Sequence, residues 1–202
     1  MFDDVMWAFG RGSGIADLAL LTVSLVAGIL TRSGRPLPGI PRFALSLIHR
    51  NASLLAVVFL ALHVGTLLID PFAKLTLTDV VVPFLGTDNP FWLGMGTLAL
   101  DLLIAIVVTA LARRAIGVRA FKAVHWLAYA MWPVAMLHGV FEGTDGTDAW
   151  FLAGAATATL LVIGAVLWRL SPRFLEAPRR AAAVAGATRP AALAEPQIWR
   201  AS

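Results

Sequence analysis

The stretch LIHRNASLLAVVFLALHVGTLLIDP, residues 47–71, is apolar over more than the about 20 residues that cross a hydrocarbon core, yet it carries His49 and His63. A second stretch, RAFKAVHWLAYAMWPVAMLHG, residues 119–139, repeats the arrangement with His125 and His138. The chain has four histidines, and these two stretches hold all of them. A polar ring in a membrane helix is costly unless it has a partner, so four in two matched pairs ask for one explanation.

The rest of the chain supplies the membrane setting. Of 202 residues, 59% are hydrophobic and 14% charged. Soluble domains have roughly 45–50% apolar and about 25% charged residues. A soluble core of this size cannot hide so much apolar surface. The net charge of +4 does not indicate nucleic acid, because the basic residues lie between apolar runs rather than on one patch. The absence of cysteine excludes disulfides, iron–sulfur clusters and covalently attached haem, and leaves His, Met, Asp and Glu to hold any metal. The acidic start Met-Phe-Asp-Asp lacks the basic region of a cleaved signal peptide, so the first apolar run is expected to remain as a helix.

Five segments qualify as spans: about Gly14–Leu30, Phe43–Ile69, Phe91–Ala112, Val118–Val140 and Trp150–Leu170. The expected fold is an all-α integral membrane protein, a bundle of five transmembrane helices over residues 14–170. Residues 1–13 form an extracytoplasmic segment, and the Ala/Pro/Arg-rich tail 171–202 is expected to be disordered in the cytoplasm. Loop charges set the orientation. Arg32, Arg35 and Arg42 fill the first loop, Arg113, Arg114, Arg119 and Lys122 the third, and Arg169, Arg173, Arg179 and Arg180 begin the tail. The second loop holds Asp70, Lys74, Asp79 and Asp88, and the fourth Glu142, Asp145 and Asp148. The positive-inside rule puts the N-terminus outside and the C-terminus in the cytoplasm. A multi-pass protein of a bacterial cytoplasmic membrane is the corresponding location.

In that topology both His-bearing helices run outward. His49 and His125 fall at the cytoplasmic end, His63 and His138 near the outer end. Fourteen residues separate the first two along their helix, about 21 Å, and thirteen separate the other two, about 20 Å. Each level of the membrane thus receives one histidine from each helix, as bis-histidine ligation of a b-type haem requires. Phase is less uniform. Fourteen steps end about 40° short of whole turns, which keeps His49 and His63 on one face, but thirteen end about 140° short. Pro133 lies between His125 and His138, and a kink there is expected to re-aim His138. Ala52, Ser53 and Ala56 leave room for a flat macrocycle, and equally suit helix contact.

With these residues in view, the chain resembles the ferric reductase-like transmembrane domain family, which includes NADPH oxidases, ferric reductases and the haem-binding membrane subunit of the bacterial methionine sulfoxide reductase system. The resemblance covers about residues 10–170 and rests on the two quoted stretches, AVHWLAY included. It implies that His49 pairs with His125 on an inner haem iron and His63 with His138 on an outer one. It further implies electron flow outward from a cytoplasmic flavin. Three departures qualify it. No flavin- or nicotinamide-binding region is recognised after the fifth helix, so the expected donor is a separate cytoplasmic flavoprotein reductase or a membrane quinol. The oxidase branch has a further histidine where this chain has Leu67, which argues against a dedicated superoxide producer. It also has an aromatic residue between the haems where this chain has Met131, with Trp132 beside it as a bridge or a packing residue.

Haem propionates need basic partners near the surface. Arg50, directly after a ligand, is the first choice at the inner haem; Arg113, Arg114 and Lys122 read better as topology determinants, and Arg11 and Lys74 are the outer candidates. Asp101, in the middle of a helix, reads as structural, with proton uptake as the other option. Asp17, nearer the surface, reads as facing water. Trp7, Trp92 and Trp150 read as interfacial anchors, and EGTDGTD, residues 142–148, as a solvated turn rather than a cation loop. The sequence therefore points to a di-haem b cytochrome that moves electrons across the bilayer. The acceptor is ferric iron or an extracytoplasmic redox partner. Two other readings stand beside it: a proton-coupled transporter using the histidines and Asp101, and a structural anchor of a redox complex.

Overall fold

A computed structural model describes residues 2–33, 39–86, 89–174 and 176. Among them the regular elements are all helices: α1 Phe2–Arg32, α2 Arg42–Ile69, α3 Leu77–Val81, α4 Pro90–Leu111, α5 Arg113–His125, α6 Ala128–Phe141 and α7 Ala149–Leu170. Arg35, Asp88, Arg179, Arg180 and nearly all of the expected tail lie outside the described residues.

Four helices, α1, α2, α4 and α7, are long and apolar enough to cross a membrane. The first differs from the expectation. It begins at Phe2 rather than near Gly14, so most of the expected N-terminal segment is helical. Ser13 explains part of this, because its hydroxyl donates to the carbonyls of Phe9 and Gly10 and does not interrupt the helix.

The segment expected as one span near Val118–Val140 is two helices. Gly117 adopts φ 82°, a left-handed conformation open to glycine, and breaks α5 just before Val118. A second change of winding follows at Trp126 and Leu127. There the amides of Leu127, Tyr129 and Ala130 bond the carbonyls three residues back, those of Val124, Trp126 and Leu127. Both Trp126 and Leu127 keep right-handed helical angles, so the chain continues in the same direction through a tight turn. Pro133 lies inside α6 and has no N–H to give the Tyr129 carbonyl.

The packing leaves a gap where the histidines are. α1 lies along α2 and also meets α6 and α7, while α4 packs on α5 and α6. Among the described residues α2 and α6 barely touch each other. Leu21, Ala56, Leu103, Ile106, Met131 and Trp132 belong to the shared core. Outside it, large apolar side chains such as Leu54, Val58, Leu160 and Leu167 are exposed, as a lipid-facing surface requires.

One end of the bundle collects acidic residues. There the Arg11 guanidinium is ion-paired with Asp145, and Asp148 lies 3.9 Å from it. The EGTDGTD stretch is a turn exposed at Gly143, Thr144, Thr147 and Asp148, and only Asp145 departs from the solvated reading, being buried against α1. Gly143 and Gly146 allow the fold-back, since a Cβ on either would meet the backbone carbonyl of Gly139 or Val140. Asp70 is also buried and caps its own turn by accepting from the Phe72 amide at 2.9 Å. The other end carries the basic residues, with Arg32 lying 3.4 Å from Glu176.

Candidate functional site

The four histidines form two pairs, His63 with His138 at the acidic end and His49 with His125 at the basic end. At the acidic end a cavity of about 410 Å³ is lined by His63 and His138, with Gly14, Asp17, Gly96 and Met131 among its walls. His63 Nδ1 donates to the Gly10 carbonyl at 2.7 Å, and His138 Nδ1 to the Trp92 carbonyl at 2.9 Å. At the basic end His49 Nδ1 donates to the Ser24 carbonyl at 2.8 Å, with the Ser24 hydroxyl 3.2 Å away.

These bonds decide the tautomer. A carbonyl can only accept, so the proton of each of these rings sits on Nδ1 and Nε2 keeps its lone pair. Metal-bound histidines are held in this way, with the second ring nitrogen donating to a carbonyl or carboxylate. His125 differs, for its Nδ1 is buried and has no hydrogen-bond partner.

The rings of His49 and His125 face each other with centroids 6.2 Å apart and planes at 89°. A metal–imidazole bond is about 2.0–2.1 Å and each ring adds about 1 Å to its centroid, so two imidazoles on opposite sides of one metal stand about 6 Å apart. The centroid spacing of the pair matches that of two axial imidazoles on one haem iron. No group of three or more His, Cys, Asp or Glu gathers as a metal site among the described residues, and a bis-histidine haem needs only two.

Part of the phase mismatch of His125 and His138 is offset before Pro133. Each residue wound at about three per turn instead of about 3.6 advances about 20° further, so three or four of them at Trp126–Leu127 recover about half of the missing about 140°. Pro133 adds its own distortion downstream.

The other expected residues divide. Arg50 is exposed and has no partner among the described residues, and Arg113, Arg114 and Lys122 are exposed as well. Arg32, read from sequence only as a loop charge, lies 3.4 Å from Glu176 at the basic end. Arg11 lines the cavity but is committed to Asp145, and Lys74 is exposed between Ala73 and Leu75, which line the cavity. Asp17 does not face water. It is 6% exposed, lines the cavity, and leaves one carboxyl oxygen without a partner. Hydropathy could not reveal this, because it carries no information on which face α1 turns inward. Asp101 is half-buried on α4.

Trp132 is buried and its indole N–H donates to Thr22 at 2.9 Å, which ties α6 to α1. Ala52 and Ala56 are buried, Ala56 in the core cluster with Leu21 of α1, and Ser53 bonds Ser24 at 2.7 Å across the α1–α2 contact. Of the three expected anchors, Trp7 and Trp150 are exposed, whereas the Trp92 ring stacks on Phe141 at 4.3 Å. The carbonyl acceptors of Gly10, Ser24 and Trp92 were missed from sequence, as backbone groups carry no residue signature.

A family profile described as ferric reductase like transmembrane component matches residues 13–136. The match includes His49, His63 and His125 and stops just short of His138. Neither the curated proteins nor the solved structures contain a match to this chain.

Proposed function

The chain belongs to the ferric reductase-like transmembrane family, and from that premise we propose that it carries electrons across a membrane with two b-type haems, one held by His49 and His125 and one by His63 and His138. The observation that carries this reading is the pair of rings at 6.2 Å. Three Nδ1–carbonyl bonds support it, because they leave Nε2 free to ligate. When bound, haem supplies one-electron iron chemistry and needs no general acid, base or nucleophile from the protein.

The chain's own residues orient the ligands and exclude water. α1 backs His49 and His63, α4 backs His138, and the lipid-facing side chains of α2 and α7 keep the surround at low dielectric. Residues 118–141 serve in this reading as the fifth crossing, continuous in direction through the tight turn at Trp126. Arg32, Arg50 and the other cations of the basic end face the cytoplasm of a bacterial cell, and the Asp-rich end faces outward. Arg50 and Arg32 are the proposed partners of the inner propionates. The donor is a cytoplasmic flavoprotein or a membrane quinol. The acceptor is ferric iron or an extracytoplasmic reductase.

The test is haem content of the purified protein. A b-type reduced-minus-oxidised spectrum with about two haems per chain is expected. A well-folded sample from haem-replete cells that holds none contradicts the reading.

A further inference from the structure

Three of the four rings lie against a glycine of the helix behind them. A Cβ on Gly14 would come within 2.8 Å of the His63 ring, one on Gly28 within 3.1 Å of His49, and one on Gly96 within 2.6 Å of His138. In every case the carbonyl that accepts from that ring's Nδ1 stands four residues earlier, at Gly10, Ser24 and Trp92. The repetition has a physical cause. A helical carbonyl points along the axis toward the residue four positions on, whose side chain leans back over it. Where that residue has no side chain, an imidazole can lie in the space and share the carbonyl.

The spacing matches as well. Gly14 and Gly28 are fourteen residues apart on α1, as His49 and His63 are on α2, which packs along it in the opposite direction. Fourteen residues beyond Gly96, on the face that also carries Ala99, Leu103 and Ile106, α4 has Ala110 instead of glycine. The carbonyl four residues before it, that of Ile106, accepts the Thr109 hydroxyl at 3.1 Å, just as that of Gly10 accepts the Ser13 hydroxyl at 3.0 Å beside His63, so the difference between the two levels lies in the Ala110 methyl. His125, the ring at that level, is the one whose Nδ1 has no partner.

We propose that Gly14, Gly28 and Gly96 are positioning residues, each docking one imidazole against the carbonyl four residues before it and so aiming Nε2 at the haem, and that Ala110 leaves His125 undocked. The basic-end haem then has one held ligand and one adjustable ligand, while the acidic-end haem has two held ligands. A ring donating from Nδ1 is the stronger ligand and favours ferric iron, so docking lowers the reduction potential.

This inference rests on the two-haem reading, and full-length protein separates the two. Gly28→Ala is expected to lose the basic-end haem alone, with the difference spectrum of His49→Ala. Gly14→Ala and Gly96→Ala are expected to lose the acidic-end haem alone, with the spectrum of His63→Ala. Gly164→Ala, with no atom within 4 Å of an added Cβ, is the control and keeps both. Because an added methyl can also disturb folding, the converse double variant Thr109→Ala/Ala110→Gly is made in parallel. It is expected to keep both haems and to lower the midpoint potential of the basic-end haem only. Unchanged haem content and potentials in all three glycine variants, in a protein whose wild type holds two haems, overturn the positioning role. An unchanged potential in the double variant overturns the undocked ligand. A wild type without haem overturns the two-haem reading itself.

Discussion

His49 on α2 and His125 at the end of α5 present their rings edge to face, centroids 6.2 Å apart, across a bundle in which the helices that carry them are otherwise separated. His49→Ala and His125→Ala are each expected to leave about one haem per chain, and His63→Ala and His138→Ala likewise at the other level. Haem-to-protein ratio by absorbance measures this, and loss of both haems in every single variant counts against two independent sites.

Trp132 is where bridge and packing roles separate. Its N–H bond to Thr22 joins α6 to α1 inside the core. Trp132→Phe keeps an aromatic ring and removes the bond, which costs about 0.5–1.5 kcal/mol. A lower thermal midpoint in detergent with unchanged haem content and unchanged rate of haem reduction is expected. A large fall in rate with unchanged stability would favour the bridge.

The Arg11–Asp145 pair ties α1 to the loop before α7. Arg11→Ala leaves a buried carboxylate without its cation, a loss of about 1–3 kcal/mol given that Arg11 itself is partly solvated. Faster proteolysis within residues 142–148 is the expected outcome, and Asp145→Asn should show a smaller effect because it removes the buried charge as well.

Outside the membrane, α3 carries a capping box in which Asp79 accepts from the Thr76 hydroxyl at 2.7 Å and the Thr76 amide at 2.9 Å. These bonds hold the Asp79 carboxyl below its usual range. The ionised form is thus favoured by the folded state, so the cap is fully present above the ordinary carboxylate pKa of about 3.9 and is lost as pH falls below it. Hydrogen-exchange protection of the α3 amides, corrected for intrinsic rates, should fall through that acidic window in wild type and be low throughout in Thr76→Ala.

Much of the site was legible because it rests on spacing. The histidines, their pairing by level and the apolar runs that place them all follow from counting along the chain, and so does the match between Gly14–Gly28 and His49–His63 once it is sought. What was not legible depends on rotation and on distant partners. The burial of Asp17 depends on which face α1 turns inward. Asp145 meets Arg11 across 134 residues of sequence. Pro133 signals a distorted helix, whereas the further change of winding at Trp126–Leu127, where local amides exchange partners, carries no such signal.

The most direct test of transmembrane electron transfer uses sealed vesicles containing the haem-loaded protein, with ferricyanide trapped inside and dithionite added outside. The account predicts that the trapped ferricyanide is bleached in these vesicles and persists in vesicles made with His49→Ala or His63→Ala. Haem that is reduced by the dithionite while the trapped ferricyanide persists would contradict it.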